Sequence, residues 1–217
     1  MHAALPSMHA WRSRDFLTTL SMWIVMMVAM MLPSAAPMVL VFAAVQRKRR
    51  GQSEPFLSTG VFLLGYLIVW TVFSLAATLA QWGLHAASLL SSAMVIASPV
   101  IGGVFLIAAG IFQWTPLKDA CLTQCSSPLS FIMTQWREGA GGAVQMGLRH
   151  GLFCVGCCGF LMGVLFVAGV MNLLWVAAIA AFVLVEKLVP RRRWVSRISG
   201  AALLLWGLRV ASAAWMP

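Results

Sequence analysis

The sequence predicts an all-α, polytopic membrane bundle of about six transmembrane helices. Three observations carry that expectation. Of 217 residues, 61% are hydrophobic and 9% charged, whereas soluble domains are roughly 45–50% apolar and about 25% charged. Six apolar runs approach or exceed the roughly 20 residues that a span requires. The Lys and Arg between those runs fall in alternate connections, as the positive-inside rule demands. A soluble fold of this size has no interior large enough for so much apolar surface.

The first span is expected at 16–45. It is over-long and carries Pro33 and Pro37, which are expected to break it. Its apolar run is too long for a cleaved signal, whose apolar region is about 7–15 residues. The second span is expected at 56–81, the third at 92–114, the fourth at 146–170, the fifth at 172–188 and the sixth at 198–215. All belong to one integral membrane domain, 1–217. The one sizeable connection, 115–145, is expected to be a cysteine-containing loop with a glycine-rich turn at Gly139, Gly141 and Gly142.

Charge then orients the chain. Arg47, Lys48, Arg49 and Arg50 follow the first span, Lys118, Arg137 and Arg149 the third, and Lys187, Arg191, Arg192, Arg193 and Arg197 the fifth. These connections are expected in the cytoplasm and both termini outside. Arg12 and Arg14 run against that assignment. The net charge of +10 is thereby explained by the lipid bilayer as partner, and no nucleic acid is expected.

Five cysteines carry the chemistry. Cys121 and Cys125 lie in the loop, spaced C-x3-C. Cys154, Cys157 and Cys158 lie in the fourth span, one turn or more beyond His150. At 100° per residue, positions 150, 154, 157 and 158 fall within about a 100° arc, so they share one face. They are expected in the first turns of that helix, at the cytoplasmic boundary where the loop ends. A cytoplasmic position keeps thiols reduced, and a thiolate-rich set suits soft or borderline ions, copper(I) first and zinc second. Cysteine also serves as a small buried hydrophobe, so packing alone is the alternative.

Other residues extend this picture. Met22, Met26 and Met30 form a ridge on the first span, with Met27 and Met31 beside it; Met26, Met30 and Met31 are candidates for a thioether path. Glu186 and Asp119 are candidates for charge balance or proton acceptance. An intramembrane acid is costly, and the bland reading of Glu186 is a pair with Lys187 at the interface. Gly147 with Gly151, and Gly159 with Gly163, are spaced for close helix packing or oligomer contacts. Trp114, Trp136 and Trp194 fit interfacial anchors. His85 fits an interface position, and His2, Met8 and His9 form a small cluster in the N-terminal tail.

Three ordered stretches carry a family resemblance: 23–33 (WIVMMVAMMLP), 113–125 (QWTPLKDACLTQC) and 151–162 (GLFCVGCCGFLM), followed by Met171-Asn172 and Glu186-Lys187. Together they resemble a bacterial family of predicted metal-binding integral membrane proteins. The chain departs from that pattern at Gln124 and Gly159, where relatives carry His and Trp. The resemblance implies a metal site in the bacterial inner membrane. On this reading the chain binds copper(I), or zinc, through Cys154, Cys157, Cys158, Cys121, Cys125 and His150. It moves the ion or delivers it to a soluble metal chaperone or a metalloenzyme under assembly. No phosphate-binding motif is present, so an ATPase is not expected. A second reading is an enzyme: a membrane thiol–disulfide oxidoreductase using C-x2-C-C and C-x3-C, its thiols activated near a helix start. A third is a structural assembly subunit.

Overall fold

A computed structural model describes residues 12–49, 55–91 and 94–213. His2, Met8 and His9 lie outside the described residues. The described chain is all helical apart from turns and one isolated bridge between Leu90 and Ile96. In chain order the helices are α1 (Ser13–Arg49), α2 (Pro55–Ala86), α3 (Pro99–Phe112), α4 (Pro116–Ser126), α5 (Pro128–Gln135), α6 (Gly139–Gly163), α7 (Leu165–Ala168), α8 (Leu173–Leu188) and α9 (Arg192–Ser212).

Three stretches are long and apolar enough to cross a membrane: Ser13–Lys48, Ser58–Ala86 and Gly139–Ala168. A fourth arises if α3 and α4, bent by 65° between them, count as one span. Each of the six expected spans overlaps a helix, but α3 has only 14 residues and α8 16, and α9 carries Arg192, Arg193, Arg197 and Arg209.

Three expectations are corrected. First, α1 is not broken: it runs continuously through Pro33 and Pro37. Both rings sit on its exposed face, while Met30, Met31, Ser34, Ala35 and Met38 keep an unbroken buried face. The carbonyls that lose an N–H partner, those of Ala29 and Pro33, are therefore on the side away from the core. Second, the 115–145 stretch is not an open loop but forms α4, α5 and the start of α6. Thr115 accepts from the Lys118 N–H, and Pro116 and Pro128 open their helices, positions where a missing N–H costs nothing. Third, α6 starts at Gly139, whose φ of +77° is a turn conformation glycine adopts without penalty. The cysteines are therefore not in its first turns: Cys154 sits at the middle of the 30-residue stretch Gly139–Ala168.

Glycine sets how closely the helices approach. A Cβ on Gly147 would overlap the Phe62 carbonyl, and one on Gly151 would meet Val69 at 2.9 Å, so α2 and α6 pack almost backbone to backbone. The same holds for α3 and α9, where Gly103 faces Gly207 and Gly110 faces Gly200, with carbonyls 2.8 Å from the position of a Cβ. The main core lies between α1, α2, α6 and α8, around Trp23, Met27, Met31, Tyr66, Trp70 and the α6 cysteines.

Candidate metal centre

The thiols gather where α6 meets α1, α4, α2 and α8. Cys154, Cys157 and Cys158 are all buried on the inward face of α6, as is His150, which is the shared face that their spacing predicts. Cys154 Sγ is the hub. Lys187 Nζ donates to it at 3.1 Å, Tyr66 Oη lies 3.3 Å away, and Cys158 Sγ lies at 4.0 Å. Cys158 Sγ in turn is 3.8 Å from Met31 Sδ.

The cluster is held from several helices. Ser34 on α1 accepts a 2.9 Å hydrogen bond from Lys187 Nζ. Tyr66 on α2 donates to the Met31 carbonyl at 3.3 Å. The Cys157 and Cys158 thiols donate to the Cys154 carbonyl at 3.2 and 2.8 Å, a back-bond to their own helix that costs no second element. Cys125, buried on α4, faces Cys154 and Cys157. Among the described residues no three His, Cys, Asp or Glu side chains already converge as a metal cage. The third sulfur of the Cys154–Cys158 pair is a methionine, and thioethers suit soft ions.

The loop cysteines part company. Cys125 joins the cluster; Cys121 does not. Cys121 lies on the other side of α6, where its sulfur would sit 2.8 Å from a Cβ on Gly156. It opens onto an apolar cavity of about 690 Å³ between α2, α3 and α6, lined also by Phe73, Phe105 and Phe160. Cys121 and Cys125 are one turn apart on α4, and the two turns meet different sides of α6, Cys121 at Gly156 and Cys125 at the thiols.

His150 sits one turn before Cys154 in an aromatic cage. Its ring centroid is 5.4 Å from Phe131, 5.7 Å from Tyr66 and 6.1 Å from Phe62. Both ring nitrogens are buried and without a hydrogen-bond partner, a rare condition for an interior polar group.

The methionine ridge is rotated from its expected register. Met27 and Met31 are fully buried and Met30 nearly so, while Met22 and Met26 are only partly buried. Of the expected path, Met31 reaches a thiol, Met30 lies in the same core, and Met26 flanks it.

The acids are spent elsewhere. Glu186 is buried and paired with Lys118 at 2.7 Å, and Ser196 donates to it at 2.5 Å. Lys118 also bonds Gln113. The expected Glu186–Lys187 pair is absent because consecutive helix positions diverge by about 100°: Glu186 turns to α4 and α9, Lys187 to the sulfurs. Asp119 pairs with Arg193 at 2.7 Å near the surface, and that guanidinium holds its carboxyl below the usual range. Neither acid is recorded in contact with a thiol. Arg149 bonds Gln135.

Tyr66 and Ser34 were not named by sequence reasoning; Lys187 entered it only as an interfacial neighbour of Glu186, and Met27 only as a flank of the methionine ridge. Tyr66 carried a signal, being the one tyrosine of the chain and lying inside an apolar run. Ser34 carried none, because it meets Lys187 across 153 residues.

A family model described as PpoB2, copper chaperone, matches residues 20–210. No curated protein and no solved structure matches the chain.

Proposed function

Because the chain belongs to the PpoB2 copper chaperone family, we propose that it holds copper(I) within the membrane at Cys154, Cys158 and Met31 and delivers it to a protein partner. One observation carries the site: three sulfurs in sequence, at 4.0 Å from Cys154 to Cys158 and 3.8 Å from Cys158 to Met31. At a metal–sulfur distance of about 2.3 Å, a three-coordinate planar ion spaces its sulfurs about 4.0 Å apart. Two thiolates around a monovalent ion carry one net negative charge. The Lys187 ammonium, 3.1 Å from Cys154, balances it in a region where an uncompensated charge is expensive.

Cys157 and Cys125 offer a second thiol pair next to the first. Ligand exchange between neighbouring sulfurs is the step by which a delivery protein gives up a soft ion. Zinc is the less favoured cargo, since its structural sites want four tetrahedral ligands. His150 stands one turn away in its aromatic cage.

The helices α1, α2, α3, α6, α8 and α9 are read as the six spans, with the basic ends of α1, α4 and α8 in the cytoplasm and both termini outside. The setting is the bacterial inner membrane. The partner is a soluble copper chaperone or a copper enzyme under assembly. The oxidoreductase reading loses its helix-start argument, because Cys154 is fifteen residues beyond the first residue of α6, Gly139.

The test is metal content. The protein is purified anaerobically in detergent, loaded with copper(I) under reducing conditions, and measured by mass spectrometry beside Cys154→Ser/Cys158→Ser. About one copper per chain, lost in the variant, is expected. No copper in the unmodified protein would overturn the reading.

A further inference from the structure

One face of α2 is polar over its buried length. Tyr66, Trp70, Ser74, Thr78 and Gln81 follow one another at four- and three-residue intervals, and each is almost fully inaccessible. Over 15 residues this face runs about 22 Å along the helix. It begins at the thiol cluster, where Tyr66 touches Cys154, and ends near the start of α1. Across from it on α1 stand Met31, Met30, Met27 and Trp23, all buried in the same core.

The hydrogen bonding along this face is unbalanced. The Ser74 and Thr78 hydroxyls give their protons to their own helix, to the Trp70 and Ser74 carbonyls at 2.8 and 2.9 Å. Their oxygen lone pairs remain as acceptors. Gln81 accepts from Trp23 Nε1 at 2.7 Å, but its own amide nitrogen has no partner, and neither has Trp70 Nε1. Close helix packing accounts for the small Ser74 and Thr78 but not for the unmet donors of Gln81 and Trp70, which are costly to bury without a partner.

We propose that the seam between α1 and α2, from Gln81 to Tyr66, is the lane by which the copper ion reaches the thiol cluster. The inference rests on the copper reading and adds the route. Met27 and Met30 supply soft sulfur along one wall, and Ser74 and Thr78 supply oxygen lone pairs along the other. The Trp23–Gln81 hydrogen bond closes the far end, with Trp23 stacked on Phe166 at 5.2 Å. Rotation of these two side chains opens it.

The experiment follows copper(I) uptake by the full chain in lipid nanodiscs, using a chelator-buffered copper(I) supply and the copper–thiolate absorbance. Met27→Leu/Thr78→Val is expected to reach the same final copper per chain at a rate at least tenfold slower. Uptake at the unmodified rate overturns the lane. An unmodified chain that takes up no copper overturns the copper reading itself, and the lane with it. A second measurement does not depend on that variant's folding. Thr78→Cys is expected to react with a small cationic thiol reagent, and silver(I) to protect it, whereas Leu79→Cys on the outward face is unprotected. A Thr78→Cys that never reacts shows a dry, closed seam and overturns the proposal.

Discussion

Lys187 Nζ sits 3.1 Å from Cys154 Sγ and 2.9 Å from Ser34 Oγ, buried between α1, α6 and α8. Its carboxylate neighbour in sequence, Glu186, is committed to Lys118. The ammonium therefore faces sulfur and a hydroxyl. A long basic side chain that could have reached the interface instead points into the cluster, which makes it part of the site rather than an anchor.

Replacing Lys187 tests that assignment. Lys187→Met keeps the length and removes the charge. With copper(I) on two thiolates, one negative charge is left unbalanced. Copper affinity is expected to fall at least tenfold, about 1.4 kcal/mol, with unchanged stoichiometry. Competition against a colorimetric copper(I) chelator reads it; Lys187→Arg is expected to recover part of the loss.

The cysteines are expected to separate by position. Cys158→Ser should cost most of the copper affinity, because it removes the sulfur between Cys154 and Met31. Met31→Leu should cost less, about tenfold, since a thioether is the weaker ligand. Cys121→Ser should leave the copper per chain as it was, because Cys121 faces the apolar cavity on the other side of Gly156. Copper content by mass spectrometry across the three variants gives the ranking, and an equal loss from Cys121→Ser would contradict the geometry.

How much of this was legible in the sequence varies residue by residue. The common face of His150, Cys154, Cys157 and Cys158 follows from helical period alone, and burial on α6 agrees with it. On the first span the expected ridge of Met22, Met26 and Met30 is not the buried face. That span is apolar all round, so period could not tell whether Met26 or Met27 faces inward; packing against α2 decided for Met27. The 115–145 stretch was read as a loop for its glycines and mixed polarity, and the helix starts at Pro116 and Pro128 were missed. The helix there places Cys125 on the cluster and Cys121 away from it. Lys187 was not legible as a site residue because its partners, Ser34 on α1 and Cys154 on α6, come from two helices distant in sequence. The glycine pairs of α3 and α9 were written as a seven-residue repeat, Gly103 to Gly110 and Gly200 to Gly207, a spacing that two helix turns bring back to one face.

pH acts on copper binding through the thiols. A soft ion binds thiolate, so each thiol that is protonated in the metal-free site must release its proton on binding. Affinity is then greater at high pH and falls as pH drops. Each proton released makes the apparent affinity fall about tenfold per pH unit. Copper titrations at two pH values, in the same chelator competition, are expected to show a loss toward acid that is reduced in Cys158→Ser, which has one thiol fewer to deprotonate. A pH-independent affinity would mean that no protonated thiol gives up its proton to the ion.

The buried pair of Lys118 and Glu186 should matter to folding rather than to copper. Both side chains are almost wholly inaccessible, and Gln113, just past the end of α3, and Ser196 on α9 complete the network around α4 and α8. Glu186→Gln leaves the Lys118 ammonium buried without its counter-charge. Breaking one partner of such a pair costs about 3–5 kcal/mol, whereas replacing both by apolar residues is often neutral. Glu186→Gln is therefore expected to lower the thermal unfolding temperature of the detergent-solubilised protein markedly, and Lys118→Met/Glu186→Leu to recover most of it. Copper affinity of the folded fraction should change little in either, since no thiol is recorded in contact with this pair. If the single variant instead loses copper at full stability, the two networks that diverge at Glu186 and Lys187 are coupled through α8, and Glu186 would belong to the copper site after all.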